Sequence, residues 1–107
     1  MKKTETIKSK QEFSNLIKSA KFFKTKDFVI YYKENNLEKK RFGIAISNKI
    51  GNAVTRNKLK RRVKDIIDKS GLHFYNKDYI IVLKKSANSA KYLELKEDII
   101  NLLKKVE

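Results

Sequence analysis

A chain of 107 residues and 12.6 kDa, 40% hydrophobic, holds enough apolar material for one compact core and too little for two. Its 27 Lys+Arg against 12 Asp+Glu give a formal net charge of +15, an excess that folding does not require and that a polyanionic partner would neutralise. The lack of cysteine excludes disulfides, thiolate metal sites, zinc fingers and a Cys nucleophile, and agrees with a reducing cytosol.

The start, Met1-Lys-Lys-Thr-Glu-Thr-Ile-Lys8, is basic and is expected to be loose. It lacks the apolar stretch of a signal peptide, and no apolar run in the chain approaches the roughly 18 residues of a membrane span. The expectation is a soluble, cytoplasmic, single-domain protein over residues 1–107. Ser9-Lys-Gln-Glu12 has the spacing of a capping box and predicts a short helix, with Phe13, Leu16 and Ile17 on one face and Lys10, Lys18 and Lys21 turned to solvent or a ligand. Asp27-Phe-Val-Ile-Tyr-Tyr-Lys33 is rich in β-branched and aromatic residues and reads as a strand. Glu34–Lys40 then reads as a hairpin loop into a second strand, Arg41–Ser47, where Gly43 suggests a bulge or a close backbone approach.

At Gly51-Asn52 the glycine permits a positive φ and the asparagine suits an N-cap, predicting a helix over Ala53–Asp68 that stops near Ser70-Gly71. Residues 72–78 read as a polar loop. Tyr79-Ile-Ile-Val-Leu83 has the apolar run of an interior strand, and Leu95, Ile99, Leu102, Leu103 and Val106 recur at helical spacing from near Lys91. The predicted order is α-β-β-α-β-α, a two-layer α/β sandwich with one mixed sheet.

Lysine supplies 23 of the 27 basic residues, so the four arginines carry more information, and Arg56, Arg61 and Arg62 fall within one seven-residue window of the central helix. The planar guanidinium fork grips phosphate in a way that an ammonium does not. At about 100° per residue, Leu59, Val63, Ile66 and Ile67 share one arc, which must face the sheet. Arg56, Asn57, Lys60, Arg61 and Lys64 occupy the adjoining arc, while Thr55, Lys58 and Arg62 project from the far flank. From Lys39 through Lys64 there are ten basic residues and no acidic one, a purity of sign unlike ordinary solvated surface. Such a face binds phosphates with counterion release, and the N–H groups at the helix start offer a second anion site. Phe13, Phe28, Tyr31 and Phe42 are candidate platforms for single-stranded bases, although core packing is the ordinary fate of an aromatic side chain.

Protein-only catalysis finds little support. His73 is the sole histidine, in a predicted loop, and the pairs Asp65/Asp68 and Glu94/Glu97/Asp98 have the spacing of solvated helix faces. Gly43, Gly51 and Gly71 lie too far apart for a nucleotide-binding loop, so no nucleotide cofactor is expected. A general RNA-binding or ribosomal protein shares these features. A basic helix lying on anionic membrane is a further class, opposed by the need of its apolar arc to cover the sheet.

The stretch Lys49-Ile-Gly-Asn-Ala-Val-Thr-Arg-Asn-Lys-Leu-Lys-Arg-Arg-Val-Lys64 closely resembles the signature of the bacterial ribonuclease P protein subunit family. In that family a Lys is followed by Gly-Asn-Ala-Val, a variable residue, Arg-Asn, two variable residues, Lys-Arg, two more and Arg. Lys49, Gly51, Asn52, Ala53, Val54, Arg56, Asn57, Lys60 and Arg61 agree, whereas Lys64 replaces an Arg and Asn48 stands where a second Lys is common. Segments at Ser9–Phe13, Phe28–Tyr31, Arg41–Ser47 and Asp78–Val82 are similar to family segments in the same order. The resemblance implies an unusual left-handed βαβ crossover through the basic helix, against the right-handed default. It further implies an RNA-binding subunit with no catalytic residue and no protein metal site. Cleavage of the 5′ leader from precursor tRNA then belongs to a ribonuclease P RNA that binds most of the Mg²⁺. By the same resemblance Lys49, Asn52, Arg56, Asn57, Lys60, Arg61 and Lys64 contact the catalytic RNA. Phe13, Ile17 and Tyr31 line a cleft for the leader, Ile17 standing where the family has a second Phe.

Overall fold

In the computed structural model, which describes residues 6–7, 9–72, 76–88 and 91–106, four strands form one mixed sheet. They are β1 (Lys21–Lys24), β2 (Phe28–Glu34), β3 (Arg41–Ile46) and β4 (Lys77–Leu83), in spatial order β1-β2-β4-β3. β2 runs antiparallel to both β1 and β4, and β3 runs parallel to β4. The helices are α1 (Lys10–Ser19), α2 (Ala53–Lys69) and α3 (Tyr92–Val106), with α2 forming the crossover between the parallel strands.

The central position of β4 follows from its sequence. Tyr79, Ile80, Ile81 and Leu83 are buried, on alternating faces, so this strand is stable only between neighbours and under cover on both sides. On one face Tyr79, Ile81 and Leu83 join Phe28, Ile30, Phe42 and Ile44 beneath α2 and α3, which contribute Leu59, Val63, Ile66, Ile67, Leu95, Ile99, Leu103 and Val106. On the other, Ile80 packs with Leu16 of α1 and with Ile7, flanked by the partly buried Phe13, Ile17, Tyr31 and Val82.

Two expectations require correction. Glu34–Lys40 is not a hairpin loop, because β4 lies between β2 and β3. The segment instead turns around the start of β4, with Asn36 and Glu38 at φ 58° and 56°. There Asn35 Nδ2 donates to Asp78 Oδ1 at 2.8 Å and to the Lys39 carbonyl at 3.0 Å. The true hairpin precedes it. β1 was not foreseen, and Lys21, expected on a helix face, is its first residue; β1 reaches β2 through a turn in which Thr25 Oγ1 accepts from the Asp27 and Phe28 N–H groups, each at 3.2 Å. Four residues, Lys-Phe-Phe-Lys, are too few to display a period, and their charged ends resemble loop until a partner strand is present.

The capping box is half realised. Ser9 Oγ accepts from Glu12 N at 3.4 Å, but the Glu12 carboxylate accepts from Arg41 Nη1 at 3.0 Å. Arg41 also forks onto Asp78, with Nε to Oδ1 at 2.9 Å and Nη2 to Oδ2 at 2.7 Å. The bond to Asp78 outweighs burial and raises the guanidinium above its ordinary pKa, so it stays charged. At the expected loose start, Ile7 is only 3% exposed and its N–H donates to the Phe42 carbonyl at 2.8 Å, pairing residues 6–7 along β3; residues 1–5 and 8 lie outside the described residues. In the expected loop 72–78, Lys77 and Asp78 belong to β4 and residues 73–75 are also outside the described ones.

Gly43 is a close-approach glycine. A Cβ there would lie 2.5 Å from the tip of the Phe13 ring, which rests directly on the β3 backbone. Gly43→Ala is therefore expected to push Phe13 off the sheet and to cost about 1–3 kcal/mol in urea unfolding. Adding Phe13→Ala should remove most of that penalty relative to Phe13→Ala alone; a full penalty in the Phe13→Ala background would show that Gly43 acts otherwise.

Candidate nucleic-acid interface

α2 is set in place at its start by two residues. Gly51 adopts φ +154°, a conformation that side-chain-bearing residues rarely take, and Asn52 Oδ1 accepts from Thr55 N at 3.0 Å as the N-cap. Asn52, expected among the RNA contacts, thus has a structural use for its oxygen. That cap also occupies one N–H of the expected anion site. The helix then continues through Lys69, and the four residues expected to face the sheet, Leu59, Val63, Ile66 and Ile67, are all buried. They are unavailable to a membrane, and among the described residues no helix is long and apolar enough to cross one.

With that arc buried, Arg56, Lys60 and Lys64 stand one turn apart along the seam between α2 and β3, their stems half-buried. Arg56, Asn57 and Lys60 line a hollow with Ile44, Ile46 and Ala53. Lys60 and Lys64 line the next hollow with Ile7, Phe13, Phe42 and Ile44. Ile44 and Lys60 border both hollows, so the two adjoin in a row along α2, a groove whose second part is lined by Phe13. Asn57 and Arg61 are exposed beside it, as is Lys49 on the short 3₁₀ turn Asn48–Ile50. Arg56 Nη1 donates to Asn48 Oδ1, which tethers the guanidinium at the groove mouth.

Among the described residues, no carboxylate pairs with Arg56, Lys60, Arg61 or Lys64. Arg41 is the opposite case: 22% exposed and clamped by Asp78 and Glu12, it belongs to the scaffold. The far flank of α2 is separate. Arg62 lies 6.0 Å from the centre of the Tyr92 ring of α3, and Lys58 borders a hollow with Val54, Thr55 and Asn88.

Phe28 and Phe42 are fully buried and offer no stacking surface, which removes them from the candidates. Phe13, Ile17 and Tyr31 are half-buried in one cluster on the outer sheet face, so the expected cleft residues are brought together. Phe22 was missed: it is 56% exposed on the same face, with its ring centre 5.7 Å from that of Tyr31. Two adjacent phenylalanines between lysines in Lys21-Phe-Phe-Lys24 are its only signal. His73 lies outside the described residues. Asp65 pairs with Lys69 at 3.3 Å, and among the described residues no three His, Cys, Asp or Glu side chains could hold a metal ion.

The family model for ribonuclease P matches residues 1–107. A ribonuclease P protein component of Mycoplasma mycoides subsp. mycoides SC is 38% identical over 109 aligned residues, covering 100% of both chains. One from Streptococcus pyogenes serotype M12 is 35% identical over 104 residues, 97% of this chain and 87% of the relative. Among solved structures, the RNase P protein of Staphylococcus aureus matches with a TM-score of 0.87 at 29% identity, covering 96% of this chain and 95% of that one. The Thermotoga maritima protein matches at 0.85 and 28%, covering 96% and 98%.

Substitutions at Asn52 separate cap from contact. Asn52→Ala is expected to lower stability by about 1 kcal/mol in thermal or urea unfolding, whereas Asn52→Asp and Asn52→Ser keep the cap and the stability. Equal losses in all three variants would show that the side chain is not a cap.

Proposed function

The chain belongs to the ribonuclease P protein family, whose work is tRNA 5′ maturation, and from that premise we propose that it binds both the catalytic RNA and the single-stranded 5′ leader of precursor tRNA. The observation that carries this reading is the row Arg56, Lys60 and Lys64 on α2, without carboxylate partners among the described residues, beside adjoining hollows of which the second is lined by Phe13. Arg56, Lys60, Arg61 and Lys64, with Lys49 and Asn57 beside them, neutralise phosphates of the structured RNA. Arg56 and Arg61 offer planar forks, and Lys64 a point charge. The outer sheet face beyond Phe13, with Ile17 and Tyr31, takes the extended leader, whose unpaired bases present faces that a ring can stack on. Asn52 contributes by holding the helix start.

On this reading the protein grips and orients while the ribonuclease P RNA cuts the phosphodiester. The reading assigns the Mg²⁺ ions mainly to the RNA. The particle works in the cytoplasm. A general RNA-binding role would leave the leader side of the groove unused.

The test is cleavage of precursor tRNA by ribonuclease P RNA at low Mg²⁺, with and without the protein. Addition of the wild type is expected to raise the rate. The double variant Arg56→Ala/Lys60→Ala is expected to lose most of that gain, and the slope of log affinity for the catalytic RNA against log salt should fall by about 2. Unchanged stimulation by the double variant would remove α2 from the interface. Separately, the assembled particle should prefer leader-bearing over leaderless tRNA; equal affinity for both would sink the leader assignment.

A further inference from the structure

The outer face of the sheet extends past the expected cleft residues to its β1 edge. Strand register places Lys24 beside Val29, Val29 beside Val82, and Val82 beside Ala45, all on this face. The three aliphatic residues are half-buried and Lys24 is exposed. This floor crosses from β3, next to the cations of α2, to β1 in three inter-strand steps, about 14 Å. In the adjacent row Phe22 meets Tyr31, the two rings tilted at 47°.

We propose that Phe22 and Lys24 form a distal subsite for single-stranded RNA, in which one leader base stacks on the Phe22–Tyr31 pair and its phosphate meets Lys24. The proposal rests on the reading that the leader enters the cleft beside α2. It goes beyond that reading by assigning a separate station at the far edge of the sheet.

The local chemistry favours RNA over a protein partner. Between Lys21 and Lys33 the one acidic residue is Asp27, 4% exposed, so the edge presents cations around an exposed ring. Lysines at both ends of β1 also discourage pairing with a further strand. A lone exposed aromatic within a cationic rim is the arrangement by which proteins hold single strands without reading their sequence. The subsite therefore responds to how far the strand reaches, and tolerates any base.

The test uses the particle assembled with ribonuclease P RNA and a series of precursor tRNAs whose leaders lengthen one nucleotide at a time. For leaders long enough to cross the sheet, Phe22→Ala is expected to weaken binding about tenfold, while the shortest leaders bind as they do to wild type. Phe22→Leu, which keeps an apolar side chain without a π face, should behave like Phe22→Ala, and Phe22→Tyr like wild type. Lys24→Ala should lower the salt slope by about 0.7 for long leaders alone. Loss at every leader length, no loss at any, or full binding by Phe22→Leu would each overturn the subsite. If wild type gains nothing from a leader at all, the cleft reading fails and takes the subsite with it. A leader preference that survives Phe22→Ala intact overturns the subsite alone.

Discussion

The rotation of α2 about its own axis is what the interface depends on, and burial of four side chains sets it. Leu59, Val63, Ile66 and Ile67 each gain about 1.5–3 kcal/mol by leaving water. A turn of the helix by one residue would drive Lys60 and Lys64 into the apolar layer, where unpaired ammonium groups are far more costly than that gain. The cationic stripe is therefore held outward by the preferences of its neighbours. Gly51 and Asn52 fix where the helix begins, and so which turn of it faces the groove.

Charge is distributed between two jobs. Arg41 is enclosed by Asp78 and Glu12 and ties α1 to the start of β3 and β4, a scaffold ion pair in which every partner is specified by geometry. Among the described residues Arg56, Lys60, Arg61 and Lys64 have no carboxylate partner, so their mutual repulsion is relieved when an anion arrives. Asn48, occupying a position where a lysine is common in the family, meets Arg56 as a neutral acceptor. The guanidinium is thereby positioned without being neutralised.

The edge of β3 joins the two sides of the site. α2 covers one face of the sheet and α1 part of the other, so the α2 cations and the cluster of Phe13, Ile17 and Tyr31 belong to different layers and approach each other around this strand. Pairing of Thr6 and Ile7 along it satisfies part of its backbone, and Phe13 lies across Gly43 where no side chain intervenes. A conformationally permissive residue thus serves here for its lack of bulk.

The amphipathic helices, the interior strand at Tyr79–Leu83, the cap at Asn52 and the cationic arc were legible in the sequence, because each depends on residues within a few positions of one another and on a single period. Strand order was not. Nothing local distinguishes a loop that joins two paired strands from one that passes a third, and only the burial of β4 on both faces decides it. The short β1 was hidden for the same reason, and with it Phe22. The choice among aromatics followed: Phe28 and Phe42 lie beneath the helical layer, while Phe13 and Tyr31 lie on the face that α1 leaves partly open. Which residues are charged, apolar or able to cap is a property of the chain alone. Which of them share a surface is decided by contacts between distant segments, whose energies no local pattern contains.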